Sequence, residues 1–251
     1  MNDKAYFSLY EDRYRRLRKQ GIEYWISDPE ENTRVIESVN GLLNYAKCQP
    51  SKTSIIEFGC GEGHLAEYLL KAGYRYLGVD ISESAIIQAK KKAGVKRQKT
   101  FLVADITNLK QVCDNSFDIA IENQCLHMLV TDEHRKHYLK EIKRVLKNDG
   151  KAYFRDSIQQ EEFKARISTF EEFVEKHYGD YSQLEEYQAY TDGKIMKIKL
   201  PRIPARFNNE QGYQKELKAA GFTIDYFNVE NELCIIYAHT HENISKTTTC
   251  N

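Results

Sequence analysis

Two rhythms of apolar residues run along the middle of this chain. Short β-branched and apolar runs, the mark of buried strands, alternate with longer stretches whose apolar positions recur every three or four residues. Ile55, Ile56 and Phe58 form the first run, and HLAEYLLKA follows with helical spacing and Gly73 as its stop. Later runs are Tyr76 to Val79, Thr100 to Val103, Phe117 to Ile121 and Lys151 to Phe154. Between them, Ser82 is placed to cap a helix containing Ala85, Ile86 and Ala89. Thr131-Asp132-Glu133 starts a long helix, with Tyr138, Leu139, Ile142, Val145 and Leu146 inward. Gly212 to Ala220 reads as a helix ending at Gly221. Phe222 to Glu230 and Leu233 to Ala238 read as two strands, with a turn near Asn231. Strands that alternate with helices predict a parallel sheet covered on both faces.

The flanks differ. Asn2 to Lys19 has a helical aromatic stripe of Tyr6, Phe7, Tyr10, Tyr14 and Leu17. Arg13, Arg15, Arg16 and Lys19 sit opposite and read as a solvated face. Asp28-Pro29-Glu30-Glu31 starts a second helix, to about Ala46, burying Val35, Ile36, Val39 and Leu43. After the fifth strand, residues 159–208 exceed a simple alternating fold. Glu161 to Tyr178 looks helical, a tyrosine-rich stretch follows, and KIMKIKLPRIPARF reads as extended.

With 251 residues the chain predicts one domain. Lys+Arg and Asp+Glu both number 37, so no global field attracts nucleic acid or an anionic membrane. The six cysteines show no metal-ligand spacing, and reduced thiols in a cytoplasmic protein are expected. His134 and His137 share a helix face without a third ligand, so no metal is expected. The first twenty residues lack the apolar segment of a signal peptide, and no apolar run approaches the ~20 residues of a membrane span. Residues 241–251 are polar and threonine-rich, which predicts a disordered tail.

The chemistry concentrates where the first strand runs into Gly59, Gly61 and Gly63. Glycines there allow a tight turn and close approach of a ligand. Asp80 ends the second strand about 20 residues on, where an acid can bind ribose hydroxyls. This is a nucleoside-binding βαβ unit. A dinucleotide fingerprint needs glycine at the sixth position, which here is His64, and no Gly-Lys-Ser/Thr phosphate loop is present.

The pattern E-x-G-x-G-x-G from Glu57 resembles the first motif of the class I S-adenosylmethionine-dependent methyltransferases. Gly78-Val79-Asp80, Ala104-Asp105-Ile106, Phe117 to Ile121 and LKEIKRVLKNDG resemble the motifs that follow it in that family, in the same order. The resemblance covers about Asn32 to Ser157 well, and Gln211 to Ala238 more weakly. It implies a Rossmann-like α/β three-layer sandwich, with a seven-stranded, mostly parallel sheet whose last strand is antiparallel. It implies a lid made of the N-terminal helices (residues 1–46) and the insertion 159–208.

For the site, the resemblance implies that Glu57 and the Gly59-Cys60-Gly61 backbone hold the methionine part of S-adenosylmethionine. Asp80 would take the ribose and Ile81 would pack on the adenine, whose edge Asp105 and Ile106 would meet. Glu122 and Asn123 would line the methyl region, and Tyr14 and Trp25 would cover the cofactor. His127, just past the fourth strand, is the candidate general base, weighed against plain packing. Arg155, Asp156, Arg202 and Arg206 stand near the acceptor side. They suit either an anionic acceptor or salt-bridge work, and the lid tyrosines suit a flat aromatic one. The expected function is methyl transfer to an oxygen, nitrogen or sulfur of a small molecule, with no nucleic-acid or membrane partner. Methylation of RNA or protein, and silent binding of the cofactor, are the alternatives. The sequence says nothing about oligomeric state.

Overall fold

A computed structural model describes residues 6–22, 25, 29–177, 180–181, 183–191 and 194–240. The predicted tail, 241–251, and the first residues of the N-terminal helix lie outside them. The chain opens with α1 (Phe7–Lys19) and α2 (Pro29–Tyr45). The alternating series follows: β1 (Ser54–Phe58), α3 (His64–Lys71), β2 (Arg75–Asp80), α4 (Glu83–Ala93), β3 (Phe101–Val103), β4 (Phe117–Asn123), α5 (Asp132–Val145) and β5 (Leu146–Ser157). Then come α6 (Phe170–His177), the antiparallel pair β6 (Leu184–Thr191) and β7 (Lys194–Pro201), α7 (Glu210–Ala219), β8 (Phe222–Glu230) and β9 (Leu233–Thr240). His239 and Thr240 therefore belong to the last strand.

Seven strands form one sheet in the order β3-β2-β1-β4-β5-β9-β8. Neighbours from β3 to β5 are parallel, and β9 runs antiparallel between β5 and β8. All five residues of β1 are buried, as expected of a strand covered on both faces. The pleat divides its side chains. Ile56 and Phe58 enter one core cluster with Tyr138 and Ile142 of α5, while Ile55 enters the other with Val39 of α2 and Leu69 of α3. Burying Ile55, Ile56 and Phe58 contributes about 1.5–3 kcal/mol each, which offsets the cost of burying Glu57 in the same strand.

The helix starts follow the predicted caps. Ser82 Oγ accepts from the Ala85 amide at 3.0 Å, and Thr131 Oγ1 from the His134 amide at 3.2 Å. In the insertion the prediction fails in part. Only Phe170–His177 is helical, because the segment before it is drawn out by tertiary bonds. The Phe163 amide donates to Asn208 Oδ1 at 3.0 Å, and the Asp132 amide donates to the Ile167 carbonyl at 2.9 Å.

The β6–β7 pair would be marginal alone. It packs Ala189, Ile198 and Leu200 against Leu17 of α1 and Ile22. Arg13 locks this contact and corrects the reading of a wholly solvated basic face. It is buried, with its guanidinium 4.6 Å from the ring centres of both Trp25 and Tyr187, and it donates to the Pro201 carbonyl at 3.3 Å. Cys48, Cys60, Cys125 and Cys234 are free thiols. Among the described residues no helix is long and apolar enough to cross a membrane, and no group of three or more His, Cys, Asp or Glu could hold a metal.

Candidate functional site

Beyond the carboxyl ends of β1 to β4 lies a cleft roofed by α1 and Trp25. Open parallel sheets place their ligands there. Its floor is the loop after β1, held by Gly59 and Cys60 amides that donate to the Val79 carbonyl at 2.8 and 3.0 Å. Gly59 has φ +70°, and a Cβ there would lie 2.5 Å from Cys125 Sγ. Gly61 has φ +51°, and a Cβ there would lie 2.9 Å from Tyr14 Oη. The loop thus fits between the β4 loop and the roof only with bare backbone. Gly61→Ala is expected to cost about 1–2 kcal/mol in backbone strain alone and to push Tyr14 outward. A thermal melt and a ligand titration on that variant check this: the melting temperature falls and affinity weakens about tenfold or more.

Asp80, at the end of β2, is buried and accepts the Gly61 amide at 2.9 Å and the Ser82 amide at 2.8 Å, one on each oxygen. Burial raises its pKa to about 6 against those two bonds, and Glu11 adds to the rise. A carboxylate oxygen has two acceptor positions, so one on each oxygen remains for a pair of hydroxyls. Glu57 accepts a hydrogen bond from Tyr76, and burial raises it to about 7. Glu62, also buried and lining the cleft, is raised to about 7 by burial, with Lys92 opposing. Three buried acids in one cleft favour a ligand carrying positive charge.

Glu11 fixes the roof to this floor. Its carboxylate accepts from Ser82 Oγ at 2.6 Å, Ser84 Oγ at 2.7 Å and the Ser84 amide at 3.2 Å, so α1 is tied to the start of α4. Burial works to raise Glu11, but the Ser82 and Ser84 bonds prevail and lower it. The roof sits low. The cleft holds about 170 Å³, below the roughly 300–1,000 Å³ of pockets for drug-sized ligands. Tyr14, whose hydroxyl reaches over Gly61, is the side chain that narrows it.

Eleven of the residues singled out in the sequence line this cleft: Tyr14, Trp25, Glu57, Gly59, Cys60, Gly61, Asp80, Ile81, Asp105, Ile106 and Asn123. Two do not. Glu122 is buried beneath it, where Oε1 accepts the Leu126 amide at 3.0 Å and Oε2 has no partner. Burial and then Asp156 hold its pKa well above the usual carboxylate range. His127 is 5% exposed, its ring hydrogen-bonded to Asp156 and stacked on Phe207 at 5.2 Å, and its amide donates to Asp156 at 2.8 Å. These side chains hold the β4 loop in shape rather than facing the cleft. His127→Ala is therefore expected to cost about 2 kcal/mol of stability and to leave cofactor affinity within threefold. An unchanged denaturation midpoint would contradict this placement.

None of the described residues of the insertion 159–208 lines the cleft; among them the roof is α1, and the insertion braces it from behind. Arg155 is engaged with Glu31 at 2.7 Å and Asn123 at 3.1 Å, and Arg206 with Asp132 at 2.6 Å. Both serve internal pairs, which removes the two best-placed arginines from an anion clamp; Arg202 is exposed. Tyr181 packs on Phe170 and Tyr187 on Arg13, while Tyr178 lies outside the described residues. Sequence reasoning missed Phe7 and Tyr10 on the roof, Glu31 and Asn32 of α2, and Gln124, Cys125, Met128 and Leu129 of the β4 loop.

Comparison with known proteins agrees with this geometry. Residues 56–154 match the profile of a methyltransferase domain family. That stretch of the chain is a methyltransferase domain of the class I, S-adenosylmethionine-dependent kind. An uncharacterized methyltransferase of Schizosaccharomyces pombe is 29% identical over 96 residues, 38% of this chain and 66% of that one. A malonyl-acyl-carrier-protein O-methyltransferase of Hamiltonella defensa is 23% identical over 173 residues, 68% of this chain and 64% of that one. The matches thus span about two thirds of these relatives' length. Among solved structures, a Burkholderia thailandensis 1,6-didemethyltoxoflavin N1-methyltransferase, holding its substrate and S-adenosylhomocysteine, shares the fold. It superposes with TM-score 0.63 at 18% identity, over 96% of this chain and 92% of that one. The cofactor of this methyltransferase is S-adenosylmethionine.

Proposed function

We propose that this protein transfers the methyl group of S-adenosylmethionine to an oxygen, nitrogen or sulfur nucleophile of a small molecule. The observation that carries this reading is one cleft that gathers the glycine loop, Asp80, Asp105, Ile106 and Asn123 under an aromatic roof. When bound, S-adenosylmethionine would supply a methyl on positively charged sulfur for in-line displacement by the acceptor's lone pair, the sulfur keeping the electrons of the broken bond and any acceptor proton passing to water. The chain's own work is placement. Asp80 takes the ribose hydroxyls with its two remaining acceptor positions. Ile81, Asp105 and Ile106 receive the adenine. Glu57 and the loop backbone receive the methionine part, and Phe7, Tyr10, Tyr14 and Trp25 exclude water. Alignment of this kind supplies roughly 7–11 kcal/mol of a displacement barrier.

The balanced charge supports a small molecule over RNA, which calls for a basic surface. Transfer of labelled methyl to cell extract, split into small and large fractions, tests this. Label is expected in the small fraction. Label confined to RNA or protein would replace this reading, and label in neither would leave a binding protein.

A further inference from the structure

The roof is fastened on two sides, and the fastenings differ in kind. Toward α5, the β4 loop and β7, α1 is held by buried groups. Tyr6 Oη is hydrogen-bonded to His134 Nδ1 at 2.8 Å, Tyr10 Oη donates to the Met128 carbonyl at 2.5 Å, and Arg13 donates to the Pro201 carbonyl at 3.3 Å. Their spacing puts Tyr6, Tyr10 and Arg13 on one stripe of the helix.

Toward β2 and α4 the tie is Glu11, whose carboxylate gathers the Ser82 hydroxyl and both the hydroxyl and the amide of Ser84. The Glu11 side chain is 22% exposed and also meets the outer Arg15 at 2.7 Å, so water reaches this tie. When it parts, water takes over its bonds. Parting the other stripe strips buried polar groups, which costs more.

Glu11 shares its own stripe with Phe7 and Tyr14, four residues before it and three after. Phe7 and Tyr14 line the cleft, and Tyr14 Oη lies 2.9 Å from where a Gly61 Cβ would stand. Glu11 is thus the polar member of the stripe that closes on the glycine loop. Its grip ends beside the ribose seat. Ser82 joins the two, its hydroxyl donating to Glu11 and its amide to Asp80. A roof released at Glu11 lifts from the Asp80 side and pivots on the buried stripe.

We propose that Glu11 is a latch: a positioning residue that holds α1 down on the Asp80 side and so sets how fast S-adenosylmethionine and its demethylated product enter and leave the cleft. This rests on the reading of the cleft as the seat of that cofactor. A latch built from protein groups alone holds the roof with or without ligand. Its loss therefore speeds entry and exit together and leaves affinity nearly unchanged. Loss of a residue that merely supports the seat speeds exit alone and weakens affinity by the same factor.

Stopped-flow binding of S-adenosylhomocysteine to the full chain separates the two. Trp25, the single tryptophan, lines the cleft and reports occupancy. In Glu11→Ala, which keeps a good helix former, association and dissociation rates are each expected to rise about tenfold, with Kd moving by less than about threefold. Ser84→Ala removes one of the bonds to Glu11 and leaves the cleft lining intact. It is expected to raise both rates by a smaller factor and to add nothing in the Glu11→Ala background. It carries the test alone where Glu11→Ala folds poorly. An association rate that does not rise, or a Ser84→Ala effect that persists in full without Glu11, would overturn the proposal. A wild type that binds no S-adenosylhomocysteine would instead break the reading of the cleft itself.

Discussion

Asp80→Asn is expected to weaken S-adenosylmethionine and S-adenosylhomocysteine by at least ~100-fold. Each hydrogen bond to a charged group contributes about 1.5–3 kcal/mol, two such bonds to the ribose are lost or neutralised, and 1.4 kcal/mol is tenfold. The fold is expected to survive, because the substitution keeps the volume of a side chain already packed at the strand end. The pH dependence follows with a definite sign. Asp80 titrates at about 6 in the folded protein, above its ordinary 3.8. Its contribution to the stability of the ligand-free protein is thus fully present below 3.8 and lost as pH rises through about 6. Glu57 and Glu62, at about 7, act in the same sense. Cofactor binding has the opposite preference, since hydroxyl donors need the carboxylate form. Affinity should therefore fall as pH drops through about 6, and ligand-induced thermal stabilisation should be larger at pH 8 than at pH 5. The Asn variant should bind weakly with no such step. A wild-type affinity that is flat from pH 5 to 8 would count against Asp80 as the ribose acceptor.

Arg135→Ala is expected to cost the largest share of stability of any single change, about 3–5 kcal/mol. Arg135 is buried on α5 and pairs with Glu216 of α7 through Nε and Nη2, both at 2.6 Å. It also donates from Nη1 to the Leu126 carbonyl at 2.8 Å and the Leu129 carbonyl at 3.1 Å, so one guanidinium ties α7 to the β4 loop. Glu216 is 21% exposed, so solvent screens part of the charge attraction. Most of the loss comes from the orphaned carbonyls and the cavity left behind. For a chain this size the midpoint should drop by roughly 6–20 °C. Arg135→Lys should recover little, because an ammonium cannot reproduce the two-pronged bond. Cofactor affinity should fall as well, since Leu129 lines the cleft. A loss below 1 kcal/mol in denaturant melts would show that the β4 loop holds itself.

What the sequence revealed and what it hid have physical causes. The glycine loop and Asp80 were legible because local geometry marks them: left-handed backbone in close quarters favours glycine, and Asp80 ends a buried apolar strand at a fixed distance from the loop. Asn123 and Glu122 were adjacent candidates that only strand parity separates. Asn123 shares a face with Ile119 and Ile121, hence with Glu57 in the register. Glu122 falls on the face of Ala120, toward α5, which removes it from the cleft. That alternation is present in FDIAIEN and could have been applied. Glu31 could not be found this way. It reads as an ordinary acid in a helix's first turn, and only the packing of α2 over β5 brings it to Arg155. The roof was half read: the aromatic stripe of α1 was visible, but its burial over the cleft was not. Arg13 looked solvated because nothing in its own helix shows that Trp25 and Tyr187 enclose it. The segment before α6 has helical periodicity, and bonds to Asn208 and Asp132 override it.

The central claim is that the loop Gly59 to Gly63 and Asp80 together seat an adenosyl ligand. Isothermal titration of the purified chain with S-adenosylhomocysteine at pH 7.5 tests it most directly. One equivalent bound per chain, with affinity at least ~100-fold weaker in Asp80→Asn, is the predicted result. No binding by the wild type, or equal binding by the variant, would contradict it.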